Sequence, residues 1–136
     1  MGDWEASAFG NDTACDWAYE LEESEDLEFL NATLDEVLSI GDDFLDEDLA
    51  CEGLAACEVV ARLKGNWGER NAYTEAADDW VEAHAIFAPL APVEKALAVI
   101  ERVLGDSSGL RDLWEDDGEN PEWRAALADL RARVAG

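Results

Sequence analysis

Lysine and arginine are missing from the first 61 residues of this 136-residue chain; the first base is Arg62, and nineteen Asp and Glu precede it. Residues 62–136 hold all nine bases against fifteen acids, so the formal charge of −25 divides into −19 and −6. Without a basic stripe, direct binding to nucleic acid or to an anionic membrane is opposed by like-charge repulsion. No apolar run approaches the roughly 20 residues that span a bilayer. The opening Met1-Gly2-Asp3-Trp4-Glu5 has neither the basic nor the apolar region of a signal peptide, so the expected compartment is the cytoplasm. The three cysteines, Cys15, Cys51 and Cys57, form no Cys-x-x-Cys pair. On a helix Cys51 and Cys57 would stand roughly 9 Å apart along the axis, too far for a relaxed disulfide, and they read as small buried hydrophobes. A single histidine, His84, with no cysteine at ligand spacing gives no basis for a zinc site. P-loop and dinucleotide fingerprints are absent as well, and no cofactor is expected.

What is present is core material. Hydrophobic residues make up 49% of the chain, with six Trp and four Phe, which separates it from disordered polyanions. Its length suits one domain over residues 1–136. Apolar spacing is helical throughout. Thr13 is placed to cap a first helix with Ala14, Trp17, Ala18 and Leu21 on one face. A second helix begins after Ser24 with Leu27, Leu30, Leu34 and Val37, and Gly41 closes it. A third runs from about Asp46 to Lys64, with small residues Ala50, Gly53, Ala55 and Ala56 admitting a close neighbour. Residues 65–73 read as a loop. Thr74 caps a fourth helix carrying Ala76, Trp80, Ala83 and Phe87, which stops before Pro89. Pro92 opens a fifth on Val93, Leu97, Ile100 and Leu104. A short helix near Leu110 and Leu113 and a last one after Asn120-Pro121 complete an all-α, irregular bundle of about seven short helices.

The opening pattern Gly2-x-Trp4, Phe9-x-Asn11-Asp12, Asp16-Trp17 resembles the start of a bacterial family known as domain of unknown function 4259. Ala55-Ala56-Cys57-Glu58-Val59-Val60-Ala61 and Leu110-x-x-Leu113-Trp114-Glu115 with Trp123 and Leu127 fit the same family, and the sequence departs from it at Glu5 and Ser7, where glycines are usual. The resemblance implies bacterial origin and a small helical domain, and it carries no catalytic residue. Trp4, Phe9, Asn11, Asp12, Asp16 and Trp17 read as a clasp, with the aromatics anchoring an arm and Asn11 or Asp12 satisfying free N–H groups of the first helix. The alternative is a polar site formed by Asn11, Asp12 and Asp16.

Three patterns invite chemistry. Gly105-Asp106-Ser107-Ser108-Gly109 matches the nucleophile elbow G-x-S-x-G, but a predicted helix precedes it where the elbow needs a strand, and His84 lies upstream of the serine. A helix stop followed by a cap accounts for the same letters. The acid clusters Asp42, Asp43, Asp46, Glu47, Asp48 and Glu115, Asp116, Asp117, Glu119 lack the glycine and glutamate positions of a calcium loop. Paired carboxylates for glycoside chemistry are uninformative among thirty-four acids.

The charge split leads to the first functional expectation, a non-catalytic interaction protein that docks on a basic partner, either a cationic toxin or enzyme it neutralises or a nucleic-acid-binding protein whose site it occupies by mimicry. The candidate partner-binding residues are Glu25, Glu28 and Asp35, spaced on the solvent side of the second helix, with Asp42, Asp43 and Asp46 after it. The rival expectation is a solvated or salt-adapted surface with no partner. An enzyme stands third.

Overall fold

The computed structural model describes residues 12–136. The calls on Trp4, Phe9 and Asn11 lie outside the described residues. The architecture is all-α, with helices α1 (Asp12–Leu21), α2 (Glu28–Ser39), α3 (Glu47–Leu63), α4 (Glu75–Ala83), α5 (Val93–Leu104), α6 (Gly109–Trp114) and α7 (Pro121–Ala135), and a 3₁₀ helix, η1 (Ala85–Leu90), between α4 and α5.

α3 is the axis. Ala50, Cys51 and every residue from Gly53 to Leu63 are buried, and α1, α2, α4, α5, α6 and α7 all pack on it. Close approach depends on Gly53, where an added Cβ would meet Val37 Cγ2 at 2.9 Å and Val99 Cγ1 at 3.1 Å, so α2 and α5 sit against bare backbone as the run of small residues predicts. The helix starts where the sequence places it. The Asp46 carboxylate accepts from the Asp48 N–H at 3.0 Å, and Gly65 at φ +90° takes the left-handed position after the last turn. Three tryptophans fill the interior around it. Trp17 and Trp123 are 1% exposed and Trp80 2%, and the indole N–H groups of Trp17 and Trp80 donate to Thr33 Oγ1 and the Ser24 carbonyl, both at 2.8 Å. Such bonds remove the penalty of burying an indole N–H.

Four local expectations are corrected. Thr13 lies inside α1 rather than before it, and its hydroxyl donates to Asp48 at 3.4 Å. α2 begins at Glu28, not after Ser24, because residues 24–27 fold into a turn in which Ser24 Oγ bonds the Asp26 carbonyl and Asp26 Oδ1 accepts from the Glu28 N–H. Thr74 stands at the start of α4 but makes no cap bond to it; its hydroxyl donates to Asp78 Oδ2 at 2.7 Å. The fourth helix ends at Ala83, and Phe87 belongs to η1. Pro89 explains that break, since its ring would collide with the carbonyl of residue 85 in a continuous α-helix.

A parallel bridge ties the loop after α2 to the turn between α5 and α6, with the Leu45 N–H bonded to the Ser107 carbonyl at 2.8 Å and the Gly109 N–H to the Leu45 carbonyl at 2.7 Å. Arg102 fastens the same two segments by donating to the carbonyls of Gly41, Asp43, Asp106 and Ser107.

Candidate partner-binding surface

The bases are held internally. Arg62, 1% exposed, ion-pairs with Glu58 one turn earlier and with Asp78 of α4 at 3.3 Å, and donates to the Glu69 carbonyl at 2.8 Å. Arg133 of α7 closes the group with two bonds to the Glu58 carboxylate, at 2.5 and 2.9 Å, and one to Asp129. Two carboxylates and two guanidiniums thus meet in a region where Glu58 and Asp78 side chains are 7% and 5% exposed, and their charges cancel. Burial pulls the Arg62 pKa down while Glu58 and Asp78 oppose that pull. The bonds to Glu58 drive Arg133 the other way. Arg62 Nε and Asp78 Oδ1 have no hydrogen bond and are joined by charge alone. Two guanidiniums lie over the Trp67 ring, Arg62 at 5.5 Å and Arg70 at 4.4 Å from its centroid.

The remaining bases follow the pattern. Arg124 pairs bidentately with Glu115 at 2.6 and 2.8 Å, and these bonds hold the Glu115 pKa down to about 2. Arg111 meets Asp106 and Glu115, Arg131 meets Glu101, Arg70 meets Asp78 and Glu82, Lys95 meets Asp35, and Lys64 donates to the Val134 carbonyl.

The acids of residues 12–61 are in the opposite condition. Among the described residues of that stretch only Asp35 and Glu58 take part in an ion pair. The candidate residues Glu25, Glu28, Asp35, Asp42, Asp43 and Asp46 are all exposed, as are Asp12 and Asp16. Two candidates have internal work: Asp35 binds Lys95 at 2.9 Å, and Asp46 caps α3. Glu25 and Glu28 flank the turn into α2, while Asp42 and Asp43 follow Gly41 at its other end, so the set occupies both ends of one helix rather than one patch. Mutual repulsion is felt at Glu52, whose pKa rises through partial burial and then through Glu36, Glu20 and Asp48.

The tempting motifs resolve into structure. Gly105–Gly109 joins α5 to α6, and no strand precedes Ser107. Ser107 is exposed at φ +57°, whereas Ser108 is fully buried and caps α6 by accepting from the Arg111 N–H at 3.3 Å. His84 is elsewhere, stacked between Trp80 and Phe87 with centroids 4.4 and 6.0 Å away, and its Nδ1 donates to the Trp80 carbonyl at 2.8 Å. Among the described residues no three His, Cys, Asp or Glu side chains converge to hold a metal. Cys51 is buried, and burial followed by the acids of the first turn of α3 pushes its thiol up to about 12, so it stays protonated and packs as a small hydrophobe. No helix of the described residues is long and apolar enough to cross a membrane.

Sequence reasoning missed the Glu58–Arg62–Asp78–Arg133 group. A signal was available, because Glu58 and Arg62 stand at i, i+4 inside the otherwise apolar run Ala55–Leu63, and charges in such a run must be paired to be buried.

A family model described as domain of unknown function (DUF4259) matches residues 2–126, and the chain belongs to that family. No curated protein and no solved structure matches it.

Proposed function

We propose that the protein is a non-catalytic interaction module whose acidic N-terminal half docks on a basic protein, neutralising a cationic toxin or enzyme or occupying a nucleic-acid site by mimicry. The reading is carried by one observation. The bases are engaged within the fold, whereas the acids of residues 12–61 other than Asp35 and Glu58 have no cation among the described residues. An uncompensated field of this kind draws in a cationic partner and fixes its approach. The setting we assign is the bacterial cytoplasm, consistent with three cysteines kept as thiols.

The test uses purified cationic nucleases and nucleic-acid-binding proteins, with affinity measured at 50 and 300 mM NaCl. Reversing Glu25, Glu28 and Asp42 to Lys is expected to weaken binding about tenfold or more, with steep salt dependence. Reversing Asp112, Asp116 and Asp117, exposed acids of the C-terminal half, is expected to matter far less. Equal losses from the two sets, or no salt-sensitive binding to any of these proteins, would leave a solvated surface without a partner.

A further inference from the structure

Among the described residues six large hydrophobic side chains are exposed, and two of them, Tyr19 at 62% and Tyr73 at 52%, line the same groove between α1 and the start of α4. Helical spacing builds one side of it, since Cys15, Tyr19 and Glu22 stand at i, i+4 and i+7 of α1. The facing side comes from Tyr73 and from Glu75 and Asp79, which are i and i+4 on α4. A contact between the Cys15 thiol and the Tyr73 carbonyl at 3.7 Å joins the two sides. The cavity is about 170 Å³, below the roughly 300–1,000 Å³ of small-molecule sites, and it has room for one side chain of a partner.

Charge decides which side chain. Glu22, Glu75 and Asp79 are exposed and ion-pair with none of the described residues, and no Lys or Arg lines the groove. Two exposed rings beside three unpaired carboxylates suit a cation that can lie flat on an aromatic face while its edge donates to carboxylates. A guanidinium does both, and an ammonium stacks less well. Resting on the proposed docking of a basic protein, we infer that this groove is the anchor point, receiving an arginine side chain of that partner between Tyr19, Tyr73 and the three acids.

The probes are a fluorescein-labelled (Gly-Arg)₄ peptide and its (Gly-Lys)₄ counterpart, read by anisotropy against the full chain at 20 and 150 mM NaCl. The arginine peptide is expected to bind more tightly than the lysine peptide. Replacing both tyrosines, Tyr19→Ala with Tyr73→Ala, is expected to cost about tenfold, the scale of a desolvated cation–π contact, and to abolish the preference for arginine. Glu75→Gln with Asp79→Asn leaves the rings in place and is expected to give a comparable loss, so a folding defect in one variant does not decide the outcome. Glu25→Gln with Asp42→Asn changes charge equally and should weaken both peptides alike with the preference intact. If the wild type binds both peptides and the tyrosine and acid variants bind them unchanged, the groove is not the anchor and the acidic surface still stands as a docking face. If neither peptide binds even at 20 mM NaCl, the docking reading fails and this inference with it.

Discussion

The two halves of the chain use charge in opposite ways. In residues 62–136 each base has a partner, and two of those partners are buried: Arg62 and Arg133 share Glu58, and Arg62 also meets Asp78, while Arg124 grips a half-buried Glu115. In residues 12–61 the carboxylates face solvent and repel one another, with Asp35 and Glu58 the two described exceptions, each answered by a base from the other half. The C-terminal half is therefore held by ionic contacts as well as by its core. The N-terminal half folds mainly on apolar burial, with Asp35 and Glu58 alone among its described carboxylates held by a base, and its other described acids meet no cation among the described residues. A surface that served solubility only would have no need to separate the two so sharply, and the proposed docking rests on that split.

The largest effect that would test this contrast is loss of a shared partner. Glu58→Ala leaves Arg62 and Arg133 without their common carboxylate in a region where Arg62 is 1% exposed, and breaking a buried ion pair from one side costs about 3–5 kcal/mol. Asp35→Ala removes an ion pair whose partners are 57% and 43% exposed, and less than about 1 kcal/mol is expected. Chemical denaturation of the two variants checks the difference. Equal costs would mean that the buried group stabilises no more than a surface pair.

Much of this arrangement was legible in the sequence. Asp46 and Gly65 bounded α3, Asn120-Pro121 marked the start of α7, and Gly53 announced close packing, because caps, proline and glycine act locally. The break at His84 was harder to read. Trp80, Ala83 and Phe87 keep helical spacing through it, and the cause lies downstream at Pro89. The ionic group brings together residues from 58 to 133 on three helices, and beyond the Glu58–Arg62 pair at i, i+4 no local rule registers its members. The groove proposed to receive an arginine was hidden for the same reason, since Tyr19 and Tyr73 line one groove only once α4 lies against α1.

A smaller effect separates the halves by pH and salt. The Glu52 carboxyl is raised in the fold, so the folded state holds more protons than the unfolded chain just above the ordinary carboxylate range, and its contribution falls as pH rises through that window. Glu115 is depressed to about 2; its contribution is complete above the ordinary value and is lost as pH falls toward 2. Glu52→Gln is therefore expected to stabilise by a few tenths of a kcal/mol at pH 7, the scale of exposed charge effects, and to do nothing once carboxylates are protonated. Raising NaCl to 1 M, where the Debye length is about 3 Å, should lift the melting temperature of the wild type and shrink the Glu52→Gln gain. A melting temperature that is flat or falls with salt would show that ion pairs, not repulsion among the N-terminal acids, dominate.

A last contrast lies at the serine turn of the C-terminal half, between a side chain with an internal partner and one without, and the second of these, Ser107, carries one of the smallest expected effects. Ser108 is fully buried and its hydroxyl caps α6, so Ser108→Ala should cost about 1 kcal/mol through the lost cap. Ser107 holds the bridge to Leu45 through its backbone carbonyl, and its exposed side chain has no bond in the turn. Ser107→Ala keeps the backbone and the β-carbon at φ +57°, and a change within about 0.5 kcal/mol is expected, as for most surface substitutions. Thermal melts of the two variants, together with binding to the basic proteins, check both sides. Should Ser107→Ala abolish a cellular phenotype while its melting curve matches the wild type, the hydroxyl would be acting on a substrate and the Gly105–Gly109 turn would return as a nucleophile site.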